Sequence, residues 1–111
     1  MSLLPKSLMP NLFKRAPSMQ MRAVLHIASA DPVLEAMLMP HFDLKNEAID
    51  WTPIFKLALC KNHRSAVLIA FCVWTDRARS KTNPFELAME MEQTLKRACL
   101  EALAIRWGLL S

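Results

Sequence analysis

The spacing of apolar positions predicts α-helices along most of this chain. Residues 18–29 carry an apolar stripe at intervals of three and four residues, which is typical of one face of a helix that opens at Ser18. The stripe consists of Met21, Val24, Leu25 and Ala28. A second, short helix should begin after Asp31, because this N-cap residue is followed by a proline at the first helical position. Pro40 limits its length, and a polar connection over 41–50 follows.

The most apolar segment is the unbroken run 66–74. A third helix, about 53–61, precedes it and is capped by Asp50 or Thr52. The run itself predicts a buried central helix, about 63–78, because a helix that is apolar on all sides must be surrounded by other helices. A buried β-strand is the competing interpretation for so short a run. The polar residues that continue beyond the run, without a tight turn, favour the helix.

The last predicted helix has both a start signal and a stop signal. Asn83 is placed as N-cap, Pro84 occupies the first helical position, and Glu86 completes a capping-box arrangement. Gly108 stands where a left-handed C-terminal residue is favoured. We therefore predict one long amphipathic C-terminal helix, about 84–107. Its apolar side consists of Leu87, Met91, Leu95, Ala98, Cys99, Ala102 and Ile105.

Together these elements predict an all-α fold, a compact bundle of four or five helices that forms a single domain over 17–111. No strand is required anywhere. Residues 1–16 predict an irregular basic arm, since Pro5, Pro10 and the following Pro17 each remove a backbone donor. Residues 1–30 have a faint likeness to a targeting presequence, but the prolines interrupt the apolar stretch that such a signal needs.

The composition favours association over catalysis. A single glycine among 111 residues argues against a β-rich fold and against a glycine loop that cradles phosphate. The chain is 53% hydrophobic, with a mean hydropathy of +0.17, which is more apolar material than so small a domain is expected to hide. We therefore expect a homo-oligomer, with a dimer favoured, or binding to another protein.

The predicted interface uses methionine and aromatic side chains. Methionines two residues apart in a helix point to different faces, so one member of each pair is available for a contact outside the core. Tryptophan is enriched among interface anchors. The predicted protein-interface residues are Met89, Met91, Leu95 and Trp107 of the long helix, with Trp74 nearby.

Basic residues at both ends of the central helix support an alternative function, a nucleic-acid-binding accessory or regulatory protein. The chain has a net charge of +4 and a pI of about 9.3. The candidate phosphate contacts are Lys61, Arg64, Arg77, Arg79 and Lys81. A helix-turn-helix does not fit, because its recognition helix would have to be the most apolar segment of the chain.

Candidate chemistry is sparse. Cys60 and His63 have the spacing of half a zinc site, but Cys72 lies nine residues further along the helix, on roughly its opposite side. We therefore expect core cysteines, no metal and no cofactor. No nucleophile, carboxylate and histidine form a catalytic pattern, so we expect a non-enzyme. The odd cysteine count predicts a reducing, cytoplasmic location, and the apolar run is too short to cross a membrane.

Overall fold

Helices make up most of the described chain. The computed structural model describes residues 17–77 and 83–110. Within these ranges helices pack against one another and strands are few, so the all-α prediction is confirmed. The helices are α1 (Met19–Ala28), α2 (Pro32–Leu38), α3 (Trp51–Phe55), α4 (Lys61–Thr75), α5 (Pro84–Glu90) and α6 (Gln93–Arg106). The predicted arm over 1–16 lies outside the described residues.

The first two helices begin after Ser18 and Asp31, the residues predicted to start them, and both side chains cap the helix. The Ser18 hydroxyl accepts a hydrogen bond of 3.1 Å from the N–H three residues further on. The Asp31 carboxylate accepts two, of 2.9 and 3.1 Å, from the N–H groups two and three residues further on. These bonds satisfy backbone donors that have no partner inside the helix. A 3-10 turn, Met39–His41, then continues α2 through Pro40.

A small hairpin replaces the strand-free connection that we predicted over 41–50. Strands β1 (Phe42–Asp43) and β2 (Ala48–Ile49) pair antiparallel. The Asp43 side chain folds the turn between them, because it accepts hydrogen bonds from the backbone and the side-chain amide of Asn46. The two strands are too short for a residue pattern to reveal them.

The central helix is displaced from its predicted bounds at both ends. The helix before it stops at Phe55, six residues earlier than predicted, because the chain then leaves the helical conformation and places Leu59 in the core. α4 begins directly afterwards at Lys61. It ends at Thr75, where Asp76 takes a left-handed conformation with φ 55°.

The predicted central helix corresponds to α4, which is buried more deeply on one side than on the other. The buried side chains are Ser65, Ala66, Val67, Ile69, Ala70 and Val73. The apolar side chains on the rest of its circumference are only half-buried, and they are Leu68, Phe71, Cys72 and Trp74. Helices α1, α5 and α6 pack against α4. The rings of Trp51 and Phe55 lie 5.0 and 5.1 Å from the ring of Phe71, so α3 covers part of the remaining surface of the run.

The predicted single helix over 84–107 is broken in the structure. Met91 and Glu92 are extended, with ψ angles of 145° and 158°, and they separate α5 from α6. The Met91 side chain enters the core, where it is 7% exposed. The break separates α5, which packs against α4, from α6, which packs against both α1 and α4.

The core lies between α1, α4 and α6, and the most extensive contact joins α1 to α6. Its largest fully buried side chains include Met21, Ile27, Leu34, Ile54 and Leu95. None of the helices in the described ranges is long and apolar enough to span a membrane.

Candidate functional site: an apolar groove and the neighbouring helix α5

The five predicted interface residues separate into two groups. Met89 and Trp107 are 84% and 64% exposed. Met91 and Leu95 are buried, at 7% and 1% exposed, so they are core residues and their placement at a surface was wrong. The reason is the break between α5 and α6, which turns Met91 inward. Trp74 is half-buried and packs against the core.

Helix α5 turns two large apolar side chains outward. Asn83 starts the helix, since its side-chain oxygen accepts hydrogen bonds of 2.9 and 3.4 Å from the N–H groups of Phe85 and Glu86. Leu87 packs toward the core, whereas Phe85 and Met89, one turn apart, are 83% and 84% exposed. We call this pair the α5 ridge.

The last turn of α6 fixes the position of Trp107. The N–H of Gly108 donates to the carbonyl of Ile105 at 3.0 Å, and the N–H of Leu109 donates to the carbonyl of Ala104 at 2.7 Å. This pair of bonds is a Schellman motif, and Gly108 supplies its left-handed residue with φ 77°. The motif ends the helix with the side chains of Trp107 and Leu109 exposed.

A groove lies beside the α5 ridge, between α4, the start of α5 and the end of α6. It has a volume of about 330 Å³, and most of its lining is apolar. The apolar lining residues are Ile69, Cys72 and Val73 of α4, Pro84 of α5, and Leu103 and Trp107 of α6. We call this feature the apolar groove. Ridge and groove are contiguous, because Pro84 lines the groove and Phe85 is the next residue.

Charged groups of opposite sign surround these apolar features. Asp76, Arg77 and Arg106 stand at the edge of the groove. Arg106 is held there by a hydrogen bond of 3.0 Å to the carbonyl of Val73, and its guanidinium lies 3.9 Å from the Asp76 carboxylate. Arg77 is exposed. The residues beside the ridge are acidic, since α5 contains Glu86 and Glu90 but no lysine or arginine.

A second cavity, of about 520 Å³, is open and polar. His26 of α1 and Glu101 of α6 lie in it, and their side chains are 3.0 Å apart. The Ser29 hydroxyl in the same cleft donates to the backbone carbonyl of His26 at 3.5 Å, not to its ring. The imidazole is therefore paired with a carboxylate and does not activate this serine, so the arrangement lacks the nucleophile–base contact of a covalent catalyst.

His63, which has zinc-site spacing from Cys60, contacts a carboxylate in the structure. His63 Nε2 lies 3.2 Å from a carboxylate oxygen of Asp31. Burial alone would raise the pKa of Asp31, but hydrogen bonds from the N–H of Leu34 and from His63 lower it below its ordinary value of 3.8. No group of three or more metal-ligating side chains occurs within 17–77 and 83–110.

The three cysteines are unpaired and occupy different environments. Cys60 is exposed, so its predicted place in the core is wrong; Cys72 lies in the apolar groove, and Cys99 is in the core. Burial raises the pKa of Cys99 to about 12. The Cys99 thiol lies 3.7 Å from the sulfur of Met91 and behaves as a packed apolar group, as the sequence suggested for core cysteines.

The three predicted phosphate contacts that the structure describes do not lie together. Lys61 and Arg64 lie in the first turn of α4, and Arg77 follows its last turn, about 20 Å away along the axis. Arg79 and Lys81 lie outside the described residues. These three residues therefore do not form the continuous stripe that a phosphate backbone would follow.

Sequence reasoning missed Phe85 and the apolar groove. The signal for Phe85 was present, because Phe85 and Met89 are four residues apart and Leu87 lies between them, on the opposite side of any helix. The groove depends on three helices that are distant in sequence.

Comparison of the chain with protein-family models, curated proteins and solved structures gave no match.

Proposed function

We propose that this protein acts by association, as a small non-catalytic helical protein that forms a homodimer through the α5 ridge and the apolar groove. The observation that carries the proposal is the exposure of Phe85, Met89 and Trp107, of which Trp107 lines the groove and Phe85 follows the groove residue Pro84. Single exposed apolar residues are ordinary on a soluble protein, but a contiguous group of large ones is typical of an interaction surface.

The energetic argument rests on these same side chains. Burial of one large apolar side chain contributes about 1.5–3 kcal/mol, so three of them on each copy can supply a substantial part of the association free energy. Aromatic residues and methionine are the types enriched at the centre of protein interfaces. A symmetric dimer uses the same patch twice, which doubles the effect of each residue.

Multi-angle light scattering tests the proposal. We expect a mass of twice 12.7 kDa at micromolar concentration, and the dimer should persist in high salt because its contact is apolar. Met89→Lys should weaken the dimer at least about tenfold. Val33→Lys is the matched control, since Val33 is also exposed but lies on α2. A monomer at all concentrations, or equal effects of the two variants, would refute the proposal.

Two further parts of the interpretation follow from the cysteines and the charges. Three unpaired thiols fit a reducing compartment, so we propose a cytoplasmic location. We do not propose nucleic-acid binding, because the described cations Lys61, Arg64 and Arg77 lie at opposite ends of α4. The alternative function stays a prediction from the sequence.

A further inference from the structure

We propose that the dimer is reciprocal: the α5 ridge of each copy occupies the apolar groove of the other. This inference rests on the proposed function and adds the arrangement of its contact. A groove and a protruding apolar pair on one molecule can satisfy each other in a closed two-fold dimer. Because the two features adjoin at Pro84, a single two-fold axis close to that residue can bring both contacts together.

The shapes of the two features match this arrangement. Neither ridge residue is buried within the described ranges 17–77 and 83–110, since Phe85 and Met89 are 83% and 84% exposed. The groove has a floor of α4 side chains, and its volume of about 330 Å³ lies in the range of sites that enclose bound groups. It offers an apolar surface to an aromatic ring and a thioether, the groups that Phe85 and Met89 carry.

The charges select this pairing over the alternatives. Glu86 and Glu90 flank the ridge, and Asp76, Arg77 and Arg106 stand at the edge of the groove, which therefore carries one net positive charge. Arg106 already lies 3.9 Å from Asp76, so Arg77 is the cation that the ridge carboxylates would meet first. Docking the ridge into the groove places carboxylates near guanidinium groups. A dimer that packed α5 against α5 would instead bring together four carboxylates, and like charges across an interface oppose association.

Directed disulfide formation tests the arrangement, because Cys72 already lies in the groove. The first chain carries Met89→Cys, Cys72→Ala and Cys60→Ser. The second carries only Cys60→Ser and an affinity tag, so that its Cys72 is the target. Cys99 can stay in both chains, because it is buried and burial raises its pKa to about 12. The mixed chains are oxidised with copper phenanthroline and separated on a non-reducing gel.

A matched control replaces Met89→Cys by Ala36→Cys. Ala36 is exposed on α2, which lies away from the groove. The start of α2 is placed by the contact of Asp31 with His63, and His63 is about 13 Å along α4 from Cys72. We expect the product between the first and second chains to form at least tenfold faster than in the control. Cys60, Met89 and Ala36 are exposed, and Cys72 lies in the groove and not in the core, so the substitutions leave the core intact and the folded protein itself is tested.

Each other outcome has a defined meaning. A dimer by light scattering without cross-linking above the control would overturn the reciprocal arrangement and leave the proposed function standing. Preferential disulfides between two Met89→Cys chains would show α5 packed against α5 and would also overturn it. Cross-linking that occurs only after removal of residues 1–16 would make that segment the native occupant of the groove. A monomer under all conditions would refute both proposals.

Discussion

The side-chain oxygen of Asn62 accepts a hydrogen bond of 2.7 Å from the backbone N–H of Glu92. Glu92 is the N-cap of α6, and its own side chain makes no capping bond. A residue at the start of α4, thirty positions earlier, therefore satisfies a donor at the point where α5 and α6 separate. This contact stabilises the break that turns Met91 into the core and leaves α5 on the surface.

Asn62→Ala should lower the free energy of unfolding by about 1 kcal/mol, because the N–H of Glu92 then loses its acceptor. Asn62→Asp is the control, since it keeps an oxygen in the same place and should retain most of the stability. Urea unfolding followed by circular dichroism measures both. Equal losses in the two variants would contradict the assigned role of the side-chain oxygen.

Truncation of the two methionines on either side of Glu90 should change the free energy of unfolding by very different amounts. Met91→Ala removes a buried side chain and should lower the free energy of unfolding by about 2–4 kcal/mol. Met89→Ala removes an exposed one and should change monomer stability by less than about 0.5 kcal/mol, while weakening the dimer. Denaturation at dilution and light scattering separate the two effects. Similar stabilities of both variants would contradict the placement of Met91 in the core and Met89 on the surface.

Gly108→Ala should destabilise the end of α6. The residue has φ 77°, and among the described residues a Cβ added there would meet only the Met19 sulfur, at 4.0 Å, so the penalty comes from the backbone. We expect a loss of about 1 kcal/mol in thermal or urea unfolding. Gly108→Asn should cost less, because asparagine tolerates the left-handed region better. An alanine variant as stable as the parent would contradict the role of Gly108 as the left-handed residue of the Schellman motif.

The stability of the protein should fall at acid pH as the Asp31 carboxylate becomes protonated. Its pKa is lowered in the folded state, so its contribution to stability is present above pH 3.8 and is lost as the pH falls through the folded value. Asp31→Asn keeps a capping oxygen but cannot ionise. The stability advantage of the parent over this variant should therefore be largest near pH 5 and shrink toward pH 2.5, as measured by urea unfolding. A constant difference would contradict the shift.

Much of the fold follows from short-range signals. Ser18, Asp31 and Asn83 each cap the helix that they were predicted to start, and Gly108 takes the left-handed conformation expected of it. These predictions succeed because a cap depends on a few neighbouring residues and on backbone donors that every helix end exposes.

The break at Met91 and Glu92 could not be predicted in this way. Neither glycine nor proline interrupts residues 85–107, and the apolar stripe continues through the break with helical spacing. The acceptor that stabilises the break belongs to Asn62, which is adjacent only after α4 has packed against its neighbours. Tertiary contacts therefore override a local preference for helix at this point.

The candidate site could be predicted only in part, because the local pattern identifies exposed residues but does not separate core contacts from interface contacts. Met89 and Trp107 are exposed whether or not the helix is continuous, and the sequence identified both. Met91 and Leu95 share the apolar stripe, but stripe membership alone does not distinguish a core contact from an interface contact. That distinction required the positions of α1 and α4, which cover Leu95 in the folded chain.

Helix α5 is capped at its start by Asn83, ends at two extended residues, and has no fully buried side chain. Its detachment would leave the packing of α1, α4 and α6 in place, so it can open as a separate cooperative unit. Backbone amides of α5 should accordingly exchange with deuterium before those of α4. Dimer formation should slow that exchange selectively, giving a residue-by-residue record of assembly without any substitution.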